Sequence, residues 1–176
     1  LCMAYWLNAF SFADNDKRNK VVRDSIMSVL DNKNTSADQK KALINGLSKL
    51  TVDSQLEILL KIKEDISISA DGNTLVDLYC GIASCYMLSH QTDKAKPYLD
   101  LAAKYEKKLT DSRLLGKYHH MWGNYYNLTA GGTKSHSHYY KAIGYYEKLK
   151  NSKDKLISVL NNLSFSYIQK DDINNL

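Results

Sequence analysis

One proline and eight glycines in 176 residues are too few for collagen, for proline-rich linkers or for most turn-dense β folds. So little proline leaves long helices uninterrupted. Cysteine is scarce as well: Cys2, Cys80 and Cys85 are all there is. Five helical steps put the Cys80 and Cys85 side chains about 140° apart, so they cannot bridge within one helix. Neither has a His or Asp beside it at ligand spacing. There is no P-loop, G-x-S-x-G, H-E-x-x-H or Rossmann glycine triad. The sequence is therefore read as non-catalytic, with no metal and no cofactor. Beyond residue 13 no run is long and apolar enough to span a bilayer. No charge sign dominates: 24 basic and 19 acidic residues leave a net +5. The charges are mixed, as in Lys61, Lys63, Glu64 and Asp65. That pattern reads as solvated helix faces, not as the basic stripe of a nucleic-acid binder.

What is abundant is tyrosine, 13 against 3 Phe and 2 Trp. With 44% hydrophobic and 24% charged residues, the chain has the balance of a folded protein and not of a disordered one. Its length suits one domain with a core, or a short solenoid. Residues 1–13, LCMAYWLNAFSFA, carry no charge and give way abruptly to DNDKRNK. An apolar run closing on Ser11 and Ala13 is expected to be the remnant of a signal peptide or membrane anchor. The chain is then exported, periplasmic or held at an inner membrane, with a cytoplasmic location as the alternative.

From Val21 onward apolar residues recur at three- and four-residue steps, as in Val22, Ile26, Val29 and Leu30. The periodicity predicts helices over 17–31, 37–49, 53–69, 73–89, 93–109, 112–128, 136–150 and 153–170. Breaks fall at DNKNTSAD, SADGN, TAGGTKSHS and NSKD. Ser36 and Asp93 are expected N-caps, and Pro97 is expected in a first turn. His136 and His138 are expected in a polar loop. No stretch alternates with a period of two, so no sheet is expected, and short links imply antiparallel neighbours.

Spacings recur along the second half. Tyr79, Ile82, Ala83 and Tyr86 are followed by Ala95, Leu99 and Ala102. His119, Trp122, Gly123 and Tyr126 repeat the first pattern, and Ala142, Tyr146 and Leu149 the second. A third copy opens with Leu160, Leu163, Ser164 and Tyr167. These residues resemble the tetratricopeptide repeat, whose first helix runs large, Leu, small, Tyr and whose second runs small, aromatic, small. The resemblance implies an all-α, right-handed solenoid of antiparallel helical hairpins over 73–176, its last repeat truncated. Residues 14–72 are expected to be degenerate repeats or an N-terminal cap. The period is about 40 residues against the family's 34, and the proline that closes each repeat is missing. An exported array of this kind is similar to the N-terminal sensor regions of bacterial membrane-anchored regulators of the histidine-kinase or helix-turn-helix type.

The resemblance also implies a ligand face. The groove positions of the three first helices correspond to Asp77, Cys80, Ser84 and Met87, then Lys117, His120, Asn124 and Asn127, then Ser158, Asn161, Phe165 and Ile168. Each set shares one helix face. Lys117, His120, Asn124, Asn127, Asn161 and Phe165 are the expected ligand-binding residues. Lys117, His120, Asn124 and Asn161 offer donors for a peptide backbone or carboxylate, a partial likeness to the carboxylate-clamp form of the fold. By the same alignment His119 faces the core and His120 the groove. The expected partner is a protein or peptide. The alternatives are a soluble cytoplasmic adaptor of the same repeat kind and an RNA-binding helical repeat with tyrosines for stacking, although Tyr79, Tyr86, Tyr126, Tyr146 and Tyr167 are claimed by packing. A homo-oligomer through an uncapped C-terminal end is the further expectation.

Overall fold

The computed structural model describes residues 2–32, 34–66, 71–129 and 132–174, with side chains outside the description at 2–15, 37, 45, 66 and 169–174. Among the described residues there are eight α-helices and no strand. They are α1 (Cys2–Asp31), α2 (Ala37–Gly46), α3 (Val52–Ile66), α4 (Gly72–Leu88), α5 (Thr92–Ala103), α6 (Ser112–Thr129), α7 (Gly132–Tyr146) and α8 (Lys153–Asn174). The backbone of residues 2–13 of the apolar N-terminal run belongs to α1, while their side chains lie outside the description. No described helix is long and apolar enough to cross a membrane.

Two compact units divide the chain, Leu1–Ser69 and Ala70–Leu176. In the first, α1 and α2 both pack on α3. Ile58, Leu59 and Ile62 share one face of α3 and are buried, as are Leu30, Leu47 and Leu50. The start of α2 is written in the sequence. Ser36 Oγ accepts from the Gln39 amide, and the Gln39 side chain accepts from the Ser36 amide at 2.8 Å, a capping box that satisfies two otherwise orphaned donors.

In the second unit α4 packs on α5 and α6, α6 also on α5, α7 and α8, and α7 on α8. One core joins Leu75, Val76, Tyr79, Cys80 and Ala83 of α4 to Ala95, Leu99 and Ala102 of α5 and to Leu114, Tyr118, Met121 and Trp122 of α6. A second joins Tyr139, Ala142 and Tyr146 of α7 to Val159 and Leu163 of α8. The approach of α6 to α7 depends on two glycines. A Cβ at Gly123 would stand 2.5 Å from the Tyr139 ring, and one at Gly116 would collide with the Tyr146 ring. The two contacts run in opposite directions along the two helices, which are therefore antiparallel. The half-buried aromatics Tyr86 and Tyr126 lean on neighbours: Tyr86 stacks on Tyr98 at 5.7 Å, and Tyr126 on Trp122 at 5.3 Å.

Several boundaries differ from expectation. α7 begins at Gly132, so His136 and His138 stand on a helix and not in a loop. Gly132 takes φ +64°, a conformation that glycine enters without steric cost. α5 begins at Thr92 after Gln91, which puts Asp93 in the first turn instead of the cap. Pro97 is then inside the helix, where its ring leaves the Asp93 carbonyl without the usual amide. α5 ends at Ala103, and a 3-10 turn, Glu106–Lys108, follows.

Gly123→Leu is expected to lower stability by about 1–3 kcal/mol or more, because the Tyr139 ring already fills the space a side chain would need. A Cβ at Gly144 would meet nothing within 4 Å, so Gly144→Ala is expected to raise stability by about 0.5–1 kcal/mol. Urea unfolding of the two variants checks both signs.

Candidate functional site

The ends of α4 and α6 and the middle of α8 enclose an open cavity of about 440 Å³. α4 contributes Ser84, Met87 and Leu88, and His90 follows it. α6 contributes Asn124, Asn127 and Leu128, and α8 contributes Asn162 and Phe165, with Tyr139 reaching in from α7. The rim is apolar and open: Leu88, Leu128 and Phe165 are each more than half exposed. Among the described residues no lysine, arginine, aspartate or glutamate lines it.

His90 owes its place to the way α4 stops. The His90 amide donates to the Met87 carbonyl at 3.1 Å, and the Gln91 amide to the Tyr86 carbonyl at 2.9 Å, the paired bonds of a Schellman ending. That ending requires a left-handed residue, and His90 takes φ +57° where glycine is the usual choice.

The floor is a polar network. Asn124 Oδ1 accepts from the Tyr139 hydroxyl at 3.0 Å and from Asn162 Nδ2 at 2.9 Å. Asn162 Nδ2 also lies 2.9 Å from His120 Nε2. Both hydrogens of the Asn162 amide are used if His120 Nε2 accepts, which assigns the imidazole proton to Nδ1. Burial pushes the His120 pKa down to about 4, so the ring is neutral and its lone pair can accept. Within the network, the Asn124 amino group and the Asn162 carbonyl oxygen remain for a ligand, beside Ser84, His90 and Asn127 of the lining.

The expected ligand residues therefore separate. Asn127 and Phe165 line the cavity, as does Asn124 through its remaining amino group. Asn161 does not: it is exposed, and the next residue, Asn162, faces α6 in its stead. His120 is buried at 8% exposure and belongs to the network beneath the groove, not to its surface. Lys117 is engaged elsewhere. Its Nζ lies 2.5 Å from Asp77 Oδ1 and 3.1 Å from the Asp77 carbonyl, and Arg113 reaches Asp77 Oδ2 at 3.3 Å. Burial drives the Asp77 carboxyl upward, but Lys117 and Arg113 outweigh it and hold the group below the usual carboxylate range. Lys117 thus keeps a buried carboxylate ionised and joins α6 to α4.

Sequence reasoning missed Leu88, His90, Leu128, Tyr139 and Asn162. Tyr139 carried a signal: it stands seven residues before Tyr146, as Gly116 stands before Gly123.

A second cluster sits between α6 and α7. His119 Nδ1 is 3.2 Å from His138 Nδ1, and the His119 ring stacks on Tyr145 at 5.6 Å. Burial, with smaller effects from His138 and Lys141, pushes His119 down to about 4. Burial also lowers His138, whose ring lies 6.0 Å from that of Trp122. His136 is buried, its Nε2 3.0 Å from Ser166 Oγ. Among the described residues no group of three or more His, Cys, Asp or Glu could hold a metal ion. Cys80 and Cys85 are buried and neither forms a disulfide. Burial pushes the Cys80 thiol up to about 12, which leaves it inert.

Compared with protein-family models, with curated proteins and with solved structures, the chain finds no match.

The histidines set the pH dependence of stability. His119 and His120 ionise near 4 in the folded chain and near about 6.5 when unfolded. Between those values the unfolded state binds more protons, so stability is full above about 6.5 and falls as the pH drops toward 4. Asp77, with its lowered carboxyl, adds a loss at still lower pH, as it is protonated through its folded pKa. Denaturation midpoints taken from neutral to acid pH should trace this decline, and His120→Gln should flatten its upper part.

Proposed function

We propose that residues 73–176 form a non-catalytic binding module of the tetratricopeptide kind, a right-handed solenoid of antiparallel hairpins that takes a protein or peptide segment between α4, α6 and α8. The observation that carries this reading is the cavity shared by these three helices, with an apolar rim and an amide floor. Ala83 and Gly123, the small positions of the first two copies, are buried at helix contacts, as the repeat pattern requires. An apolar side chain of the ligand fits against Met87, Leu88, Leu128 and Phe165. Its backbone carbonyl can accept from the Asn124 amino group, and its backbone amide can donate to the Asn162 carbonyl. Lys117 is neutralised by Asp77, so recognition in this groove works through shape and amide hydrogen bonds and not through a carboxylate clamp. In the wider reading that the sequence resemblance supports, the module is the exported sensing or interaction region of a bacterial membrane-anchored regulator.

The rim can be tested without disturbing the core. Peptides selected from a random displayed library on the wild-type protein are titrated by calorimetry against Leu128→Lys and Phe165→Lys. Binding is expected to weaken on the order of tenfold or more in each and to change little with added salt, since no exposed ion pair is involved. Undiminished binding by both variants excludes this groove. His90→Gly is expected to raise stability by about 1 kcal/mol by relieving the left-handed backbone, and to weaken binding by opening the cavity wall.

A further inference from the structure

Packing accounts for most of the thirteen tyrosines. Tyr5 has its side chain outside the description. Of the other twelve, ten are buried or half-buried. The two that are exposed are Tyr140 on α7, at 56%, and Tyr167 on α8, at 41%. Each is the other's partner: their hydroxyl oxygens stand 3.1 Å apart. Tyr167 is the third-copy counterpart of Tyr86 and Tyr126, yet it is more exposed than either and turns its hydroxyl to a neighbour on α7.

Stability does not call for this contact. A hydrogen bond between two exposed phenols replaces bonds that both make to water, so its net worth is small. The pair is nevertheless held in place from behind. α7 and α8 share the core of Tyr139, Ala142, Tyr146, Val159 and Leu163. The Tyr167 ring lies 4.0 Å from the His136 ring, centre to centre. His136 is itself buried, with Nε2 3.0 Å from Ser166 Oγ. A fixed imidazole thus backs one phenol, while both hydroxyls stay open to solvent.

We propose that Tyr140 and Tyr167 form a cross-linking site, where one-electron oxidation joins the two rings as dityrosine and staples α8 to α7. The oxidant is hydrogen peroxide acting through a haem peroxidase. Each phenol gives up one electron and its hydroxyl proton and becomes a phenoxyl radical. The two radicals pair at ring carbons next to the hydroxyl-bearing ones, which forms one C–C bond. Each of those carbons then loses its hydrogen as a proton, and each oxygen regains one. The pair has lost two hydrogens in all, and one peroxide takes them up to become two waters.

Geometry singles out this pair. The new bond lies in the plane of both rings, so the rings must meet edge to edge. Hydroxyls in contact bring together the edges that react. Tyr86 and Tyr98 are also close, at 5.7 Å between centres, but they stack with only 25° between their planes and are half-buried against the core. They offer faces where coupling needs edges. Partners already in place react as an intramolecular couple of high effective concentration. The staple spans 27 positions of the chain and restricts the unfolded state as a disulfide of that span does. It also pins the helix that carries Asn162 and Phe165 to the cavity.

The test treats the purified chain, dilute enough to disfavour contact between molecules, with hydrogen peroxide and a haem peroxidase. Dityrosine emission should appear, and the mass of the monomer should fall by two hydrogens. Trypsin should release residues 135–141 joined to residues 156–170, with fragmentation placing the bond on Tyr140 and Tyr167. Tyr140→Phe and Tyr167→Phe should each cut the yield of cross-linked monomer on the order of tenfold or more, with melting before oxidation little changed. The stapled wild-type chain should melt above the untreated one, and the same treatment should bring neither variant that rise. A wild-type chain that gives no cross-linked monomer overturns the proposal. So does a bond mapped to another pair such as Tyr86 and Tyr98, a product formed only between chains, a yield undiminished in either variant, or a stapled chain that melts no higher.

Discussion

The contact on which the second unit depends is the seating of two tyrosine rings on two glycines. Gly123 and Gly116 remove side chains from α6 where Tyr139 and Tyr146 of α7 press against its backbone. The consequences run in sequence. Tyr139 is held deep enough for its hydroxyl to reach Asn124, which holds Asn162, which fixes α8 against α6. The cavity floor is thus a product of the packing beneath it. Both glycines and both tyrosines are spaced by seven, so a slip of one heptad would still seat one ring on one glycine. Such a slip moves α7 by about 10.5 Å, and the two-residue link between Thr129 and Gly132 has a reach of only about 3.4 Å per residue. The short link selects the register that fills both seats.

Buried polar groups explain why the groove is neutral. An ionised carboxylate such as Asp77 is tolerated out of water only with charge and hydrogen bonds around it, and Lys117 and Arg113 supply both. His120 meets the same demand by losing its charge and accepting from an amide. Groups that look available when read along the chain are thereby committed to the interior. What remains for a ligand is the half of each amide that the network does not use, together with Ser84, His90 and Asn127 and the apolar ends of α4 and α6.

How much of this can be read from the sequence varies with the range of the forces involved. Ser36 is legible as a cap because its partner is three residues away, and the eight helices are legible from their apolar period. The start of α7 is not: Gly-Thr-Lys-Ser-His is a poor helix former, and tertiary packing of Ser135, His136 and Tyr139 overrides that preference. Carrying a repeat register onto α8 selects Asn161 over Asn162, and one residue on a helix is about 100° of rotation. Lys117 looks free along the chain because Asp77 lies forty positions earlier, a distance across which periodicity says nothing. Asn124, Asn127 and Phe165, which line the cavity, can be picked out along the chain. The set of residues consumed by burial cannot.

Trp122 is the one tryptophan whose side chain is described, and its setting makes it an optical gauge of the helix pair. The indole is buried, stacked on Tyr126 at 5.3 Å and beside the His138 ring at 6.0 Å. A neutral imidazole leaves excited indole alone, whereas an imidazolium accepts its electron and darkens it. Emission from this residue therefore registers two separate events: a red shift when water reaches the α6–α7 seam, and a dimming without any shift when the neighbouring ring takes up a proton while the helices stay in place.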